Sequence, residues 1–305
     1  GDGKLTFSRM IKKLQINYKE VSDKYQESRN YVVHDVIFDG KALDITFAEF
    51  RYIEINEEKT GIMCVIHDIT NRYELDKSRR EFVADVSHEL RTPLTNIKSY
   101  AETVIAAGDE LPPELHNNFM GVIVSEADRM TRIVQDLLTL SKIDYGKMEM
   151  NVSRFSFSKA VRSVYEAVAL NAESHGHTLT FSCEENMPDV DGDRERIEQV
   201  IMNIVSNAIK YTPDGGKIAI TAAASGRNVF VRISDNGIGI PEKDLPRLFE
   251  RFYRVDKARS RESGGTGLGL SIAKEILNQH KGDIRIESVY GEGTDVTITL
   301  PAARD

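Results

Sequence analysis

Phe82-Val83-Ala84-Asp85-Val86-Ser87-His88-Glu89-Leu90-Arg91-Thr92-Pro93-Leu94 is the stretch around which the rest of the chain is organised. Read as a helix, its apolar residues Phe82, Val86, Leu90 and Ile97 recur at spacings of three or four or their multiples, which marks one buried face. His88 falls two residues from both Val86 and Leu90, roughly 200° around the helix, and so points away from that face. Thr92, four residues on, shares the exposed side. Pro93 lacks an N–H and crowds the Glu89 carbonyl, so a bend is expected one turn past the histidine. An exposed imidazole with an adjacent carboxylate, and a hydroxyl one turn away, can accept a phosphoryl group and hand it on. A surface histidine on an amphipathic helix is the plainer alternative.

Working outward, the charged run from Asn71 to Glu81 continues into this stretch and predicts one helix over residues 71–106. At 1.5 Å per residue it is about 50 Å long. Gly108 and Leu111-Pro112-Pro113 end it, and a second helix from Glu114 to Tyr145 carries Leu115, Phe119, Val122, Met130, Ile133, Leu137 and Leu140 along one side. Two long helices with a short loop form an antiparallel hairpin. One hairpin cannot cover both apolar stripes, so two copies are expected to pair as a four-helix bundle in an obligate homodimer.

Upstream, Phe7, Ile11, Leu14, Tyr18, Val21 and Tyr25 make a heptad-like seam over residues 5–30, in a coiled coil or a core-facing helix. Val32 to Phe38, ended by Asp39-Gly40, reads as a strand and hairpin turn. Leu43, Ile45, Phe47 and Ala48 to Ile55 form a second strand, Glu57 to Gly61 a turn, and Ile62 to Thr70 a third strand. Such a sheet needs a helix or another sheet to cover it. His34 and His67 are read as solvated strand residues, with ligand or metal binding as the alternative.

Downstream, Gly146 to Arg154 breaks the helical pattern and reads as a hinge. Helices then alternate with strands: a helix near 158–173, a strand Thr178 to Cys183, a helix Asp193 to Tyr211, and strands Lys217–Ala223 and Val229–Ser234. A short helix around Glu242–Phe249, a helix Gly267–Lys281 and the hairpin Asp283–Val289 with Thr294–Leu300 complete a mixed, two-layer α/β domain.

Composition bounds the function. The 305 residues suffice for two or three domains, and a net charge of −8 without a basic run argues against nucleic acid as the main partner. Cys64 and Cys183 are far apart and lack metal-ligand spacing, so buried reduced thiols in a cytoplasmic chain are expected. No apolar run approaches the roughly 18 residues of a membrane span. The abrupt start at Gly1 leaves room for a longer, membrane-anchored parent of which this is the cytoplasmic portion.

Four clusters carry the chemistry of the last domain. Asn203, Asn207 and Lys210 share one helix face, where two amide oxygens and an ammonium suit hydrated Mg²⁺ with phosphates. Asp235-Asn236-Gly237-Ile238-Gly239 ends a strand, offering a carboxylate to an exocyclic amine and glycines to a flat ring; it is also an ordinary turn sequence. Gly264-Gly265-Thr266-Gly267-Leu268-Gly269-Leu270-Ser271 opens a helix whose free N–H groups form an anion site. It is neither a P-loop nor a dinucleotide turn. Between them, Phe249 to Arg254 precedes a polar loop with Lys257, Arg259, Ser260 and Arg261 that can act as a lid, and Gly291 to Thr294 can contact the far side of a base.

The conjunction and order of these motifs are specific. His-Glu-Leu-Arg-Thr-Pro-Leu, Asn-x-x-x-Asn-Ala-x-Lys-Tyr, Asp-Asn-Gly-x-Gly-Ile, Phe-x-Arg-Phe-Tyr-Arg and Gly-Thr-Gly-Leu-Gly-Leu, over about residues 70–301, resemble a two-component sensor histidine kinase. Arg-Arg-Glu-Phe-Val and Phe-Tyr-Arg-Val-Asp-Lys-Ala-Arg look most like the WalK/VicK and PhoR-like group. His67-Asp68-Ile69-Thr70, leading into a helix, resembles the last strand of a PAS sensor domain whose first strands are not evident.

The resemblance implies a multidomain α+β chain. A helix and partial PAS-like antiparallel sheet occupy 1–70, and a signalling helix with the dimerisation and histidine-phosphotransfer hairpin occupies 71–145. A hinge at 146–154 precedes a Bergerat (GHKL) ATP-binding sandwich at 155–305. It implies His88 as phosphoacceptor, Glu89 as the base that polarises its ring, and Thr92 as the residue orienting water in a phosphatase reaction. By the same resemblance Asn207 and Asn203 hold Mg²⁺, Lys210 and Tyr211 contact ATP phosphates, and Asp235 meets the adenine amine with Gly237 and Gly239 along its plane. Gly265, Thr266, Gly267, Leu268 and Gly269 form the phosphate cradle, Arg254 lies near the γ-phosphate, and Thr294 lies by the base. The implied partner is a response-regulator receiver domain whose aspartate takes the phosphoryl group. A GHKL-type ATPase or conformational clamp, and a non-catalytic signalling scaffold, are the alternatives.

Overall fold

The computed structural model describes residues 12–14, 16, 23, 30–55, 57–255 and 265–303. Most of the seam expected over 5–30, and the polar loop with Lys257, Arg259, Ser260 and Arg261, lie outside the described residues. The chain divides into two compact units, residues 1–85 and 86–305.

In the first unit, β1 (Asn30–Phe38), β2 (Lys41–Glu54) and β3 (Glu57–Asp68) form an antiparallel sheet in that order. Leu43, Ile45 and Phe47 alternate inward on β2 and, with Leu14, make a small core. The second turn differs from the sequence expectation. Residues Glu57 to Gly61 belong to β3, and the chain reverses after Ile55, whose φ is +51°. Cross-strand charge explains the difference: Lys59 pairs with Glu54 at 2.5 Å and Arg51 with Glu58 at 3.5 Å. Gly61 is tolerated inside the strand because the Phe50 ring opposite occupies the space of its missing side chain. At the end of β3 the Asp68 carboxylate accepts from Thr70 N at 3.1 Å, capping the next helix, and pairs with Lys41 at 2.8 Å.

That helix, α1 (Thr70–Ala107), runs through Pro93 as one element, and Pro93 is its buried residue. A 3₁₀ turn at Gly108–Glu110 leads to α2 (Pro113–Asp144), which starts on Pro113 as a proline at the first helical position allows. Within the second unit the two helices meet through the Tyr100 and Phe119 rings, 5.3 Å apart, and the Asn96–Glu126 hydrogen bond of 2.8 Å. The inward seam of α2 is not purely apolar. Arg129 is buried beside Ile133 and Leu140, where the sequence pattern favoured Met130.

The last domain is a two-layer sandwich. Its sheet has the order β5 (Thr178–Cys183), β7 (Lys217–Ser225), β8 (Asn228–Asp235), β10 (Gly293–Pro301), β9 (Asp283–Val289); β5 and β7 are parallel, the other pairs antiparallel. Ile218, Ile220, Val231, Ile233, Val296 and Ile298 alternate onto one face. They meet α3 (Phe157–Ser174), α4 (Arg194–Tyr211) and α5 (Gly269–Gln279) through Val161, Val164, Ile201, Ile204 and Ile276. Two short paired strands were not expected: β4 (Ser153–Phe155), overlapping the end of the predicted hinge, and β6 (Val190–Gly192). Asn151 N donates to Asp193 Oδ2 at 3.0 Å, while Asp193 Oδ1 caps α4 at Arg196 N, so the connecting segment is tied to a helix start. Helix α5 begins at Gly269 rather than Gly267, because Gly267 adopts φ +75°.

Candidate active site

The C-terminal ends of α4 and β8, the start of α5 and the tip of the β9–β10 hairpin surround a cavity of 740 Å³. Asn203, Asn207, Lys210 and Tyr211 line it from α4, Asp235 from the end of β8 and Gly239 from the loop that follows. Arg254, Gly265, Thr266, Gly267, Gly269 and Thr294 complete the predicted residues that reach it. Two predicted residues stand behind the wall. Leu268 is fully buried in the core, and Gly237 donates its N–H to Asp235 Oδ1 at 2.9 Å. A side chain on Gly237 would strike the Tyr211 carbonyl at 2.5 Å, and one on Gly239 would run into the Val289 carbonyl. Both glycines therefore keep the backbone flat at this edge.

The two ends of the cavity differ in charge. At one, burial raises the Asp235 carboxyl above the usual carboxylate range, against the lowering effect of the Gly237 and Thr294 N–H groups. A buried acceptor of this kind suits a hydrogen-bond donor on a flat base. At the other, burial and the charges of Arg254, Arg132 and Arg129 push Lys210 down to about 8. Like charges gathered in a partly buried place call for an anion. Among the described residues the Asn203 amide nitrogen is buried without a hydrogen-bond partner, and a Cβ on Gly265 would meet Lys210 Nζ at 2.6 Å. An unmet amide donor, an ammonium and a glycine backbone fit a polyphosphate.

The hairpin contributes to this cavity through Arg132, Gln135 and Asp136, which sequence reasoning missed. Thr266 Oγ1 donates to Asp136 Oδ2 at 2.8 Å, and Arg251 grips Asp144 through both carboxylate oxygens at 2.6 and 2.8 Å. Burial raises Asp136 above the usual range. On the facing helix His88 is exposed, and the Thr92 hydroxyl donates back to the His88 carbonyl at 3.3 Å. The Glu89 carboxylate accepts from Arg129 Nη2 at 2.9 Å and from Arg254 Nη1 at 3.4 Å. Arg254 thus belongs both to the cavity wall and to the turn that carries the histidine.

Residues 192–304 match the histidine kinase-, DNA gyrase B-, and HSP90-like ATPases, and residues 78–146 match the His Kinase A (phospho-acceptor) domain. The chain belongs to the sensor histidine kinases. It is 42% identical over 247 residues to the sensor histidine kinase WalK of Bacillus subtilis, covering 79% of this chain and 39% of that protein. It is 36% identical over 297 residues to the sensor protein kinase WalK of Staphylococcus saprophyticus, covering 96% and 48%. The chain therefore spans less than half the length of these two kinases. The histidine kinase ThkA, solved in complex with response regulator protein TrrA, has 25% identity and a TM-score of 0.60, over 94% of this chain and 84% of that one. No helix among the described residues is long and apolar enough to cross a membrane.

Proposed function

We propose that the chain is the kinase portion of a two-component sensor: an ATP-dependent protein-histidine autokinase that phosphorylates His88 and passes the phosphoryl group to an aspartate of a response regulator. One observation carries the reading. Arg254 lines the nucleotide cavity and lies 3.4 Å from Glu89, the neighbour of the exposed His88, so the cationic end of the cavity lies beside the acceptor turn. In this reading Asn207 and Asn203 would hold Mg²⁺, which would supply charge neutralisation of the phosphates when bound. Lys210 and Arg254 bind the terminal phosphates, Tyr211 flanks them, and Asp235 orients the adenine amine.

The His88 ring attacks as the neutral base. Nε2 gives its lone pair to the γ-phosphorus, the bond from that phosphorus to the bridging oxygen breaks, and ADP leaves with the electron pair. The remaining proton on Nδ1 is accepted by the Glu89 carboxylate. Thr92 serves the reverse traffic, orienting water on the phosphorylated regulator. Exposed Leu94 on α1 and Met120, Val124 and Leu138 on one face of α2 support a homodimer paired along that stripe, and the regulator docks on the same hairpin. The solved complex of ThkA with TrrA supports that partner class. In this reading the antiparallel sheet of β1–β3 is PAS-like and serves as the sensory element.

The test is incubation with γ-labelled ATP and Mg²⁺. An acid-labile, alkali-stable label that is lost in His88→Ala is expected. ATP turnover without labelled protein would instead indicate an ATPase clamp, and nucleotide binding with neither a scaffold.

A further inference from the structure

Arg129 occupies the interior of the α1–α2 hairpin and is 3% exposed. Its Nη2 donates to Glu89 Oε2 at 2.9 Å, and its Nη1 lies 3.8 Å from Glu126 Oε2. Glu126 in turn accepts from Asn96 through Oε1 at 2.8 Å. Enclosing a guanidinium is costly, and packing alone is served by an apolar residue, as at Ile133 and Leu140 further along the same seam. The cluster is also not closed for its own sake: among the described residues Arg129 Nε and Glu126 Oε2 are buried without hydrogen bonds. What it does achieve is asymmetric. Both ion pairs of Glu89, from Arg129 and from Arg254, fall on Oε2, and among the described residues no hydrogen bond falls on Oε1.

We infer that Arg129 is a positioning residue for histidine phosphorylation: it pins Oε2 of Glu89 inside the hairpin and leaves Oε1 to take the Nδ1 proton of His88. The inference rests on His88 as phosphoacceptor. As Nε2 bonds phosphorus and the bridging oxygen departs with ADP, the Nδ1 proton moves to Oε1 and the carboxylate becomes the neutral acid. The groups facing Glu89 are Arg129 and Glu126 from α2, Arg254 from the cavity wall, and His88 beside it. A carboxylate anchored by one oxygen keeps a single orientation through the step. Freed of the anchor it samples rotamers in which neither oxygen meets the ring.

The experiment compares initial rates of His88 labelling in the whole chain and in Arg129→Met, Arg129→Lys, Glu89→Gln and the Arg129→Met/Glu89→Gln double variant. Arg129→Met is expected to slow labelling at saturating ATP by about tenfold to a hundredfold, with the KM for ATP unchanged. Arg129→Lys, which keeps the charge without the planar fork, is expected to fall between. In the Glu89→Gln background Arg129→Met is expected to cost nothing further. Equal slowing in both backgrounds, or an effect confined to KM, would overturn the inference. Should Arg129→Met fail to fold, Arg129→Lys decides: slower labelling at unchanged KM supports the role, and the parental rate overturns it. A parent chain that acquires no label would overturn the phosphoacceptor reading itself, and this inference with it.

Discussion

The sandwich and the hairpin solve the burial problem differently. In the sandwich, Ile197, Ile201, Val205, Val229, Ile276 and Ile298 are shielded by partners from the same chain, so the nucleotide site stands on a core that one copy completes. The hairpin buries Pro93 on one helix and Arg129 and Ile133 on the other, while Leu140 packs into the sandwich core, and it leaves Leu94, Ile105, Leu115, Val124 and Leu138 exposed. One module supplies a rigid holder for a ligand. The other keeps an apolar stripe and a polar interior, which suits an element whose partners come and go.

Truncation tests that contrast most strongly. Ile201→Ala removes a fully buried side chain between sheet and helices and is expected to cost about 2–5 kcal/mol in denaturant unfolding of the sandwich. Leu138→Ala, at 58% exposure, is expected to stay within about 0.5 kcal/mol in the same measurement while weakening self-association in sedimentation. Equal losses of stability would erase the distinction between the modules.

A smaller effect separates function from stability within the sandwich. Burial raises Asp235 above its ordinary 3.8, so the folded chain takes up its proton at a higher pH than the unfolded chain. The ionised carboxylate therefore costs stability above the folded value, and the cost disappears below 3.8. Asp235→Asn is expected to unfold at a higher temperature near pH 8, with the gain shrinking as pH falls. The same variant is expected to lose about tenfold to a hundredfold in adenine-nucleotide affinity by calorimetry, the worth of a charge-assisted hydrogen bond.

The smallest effect is a pH dependence. Lys210, ordinarily at 10.5, is pushed down to about 8, so without nucleotide its ammonium is lost as pH rises through that value. Affinity for a non-hydrolysable ATP analogue is expected to fall by a few-fold between pH 7 and 9, because a bound phosphate opposes the loss. In Lys210→Arg, whose charge persists, this alkaline limb is expected to vanish.

The legibility of the fold followed the regularity of the pattern. The strand Thr178–Cys183 and the helix ending at Tyr211 were readable because period-two and period-four apolar spacing were uninterrupted there. The turn after Ile55 was not, because Glu57 to Gly61 looks like a polar loop until Glu58 and Lys59 find partners across the sheet. In the site, contiguous motifs gave Asn207, Asp235 and Gly267, whereas Arg129, Arg132 and Asp136 sit alone among helix charges. A signal was present: Glu126, Arg129, Ile133, Asp136 and Leu140 keep a strict three-and-four spacing, and three of the five are charged. An ionisable residue on a buried seam needs a partner, and the partner of Arg129 is the carboxylate next to the histidine.

The central claim concerns one nitrogen. Phosphorus NMR of the alkali-treated chain, after incubation with ATP and Mg²⁺, reports directly on the bond formed. A phosphoramidate resonance of the Nε2-phosphohistidine type, mapped to the peptide carrying His88 and missing in His88→Ala, is the result expected. A chain that binds nucleotide yet yields no such resonance, or yields it equally without His88, would contradict the account.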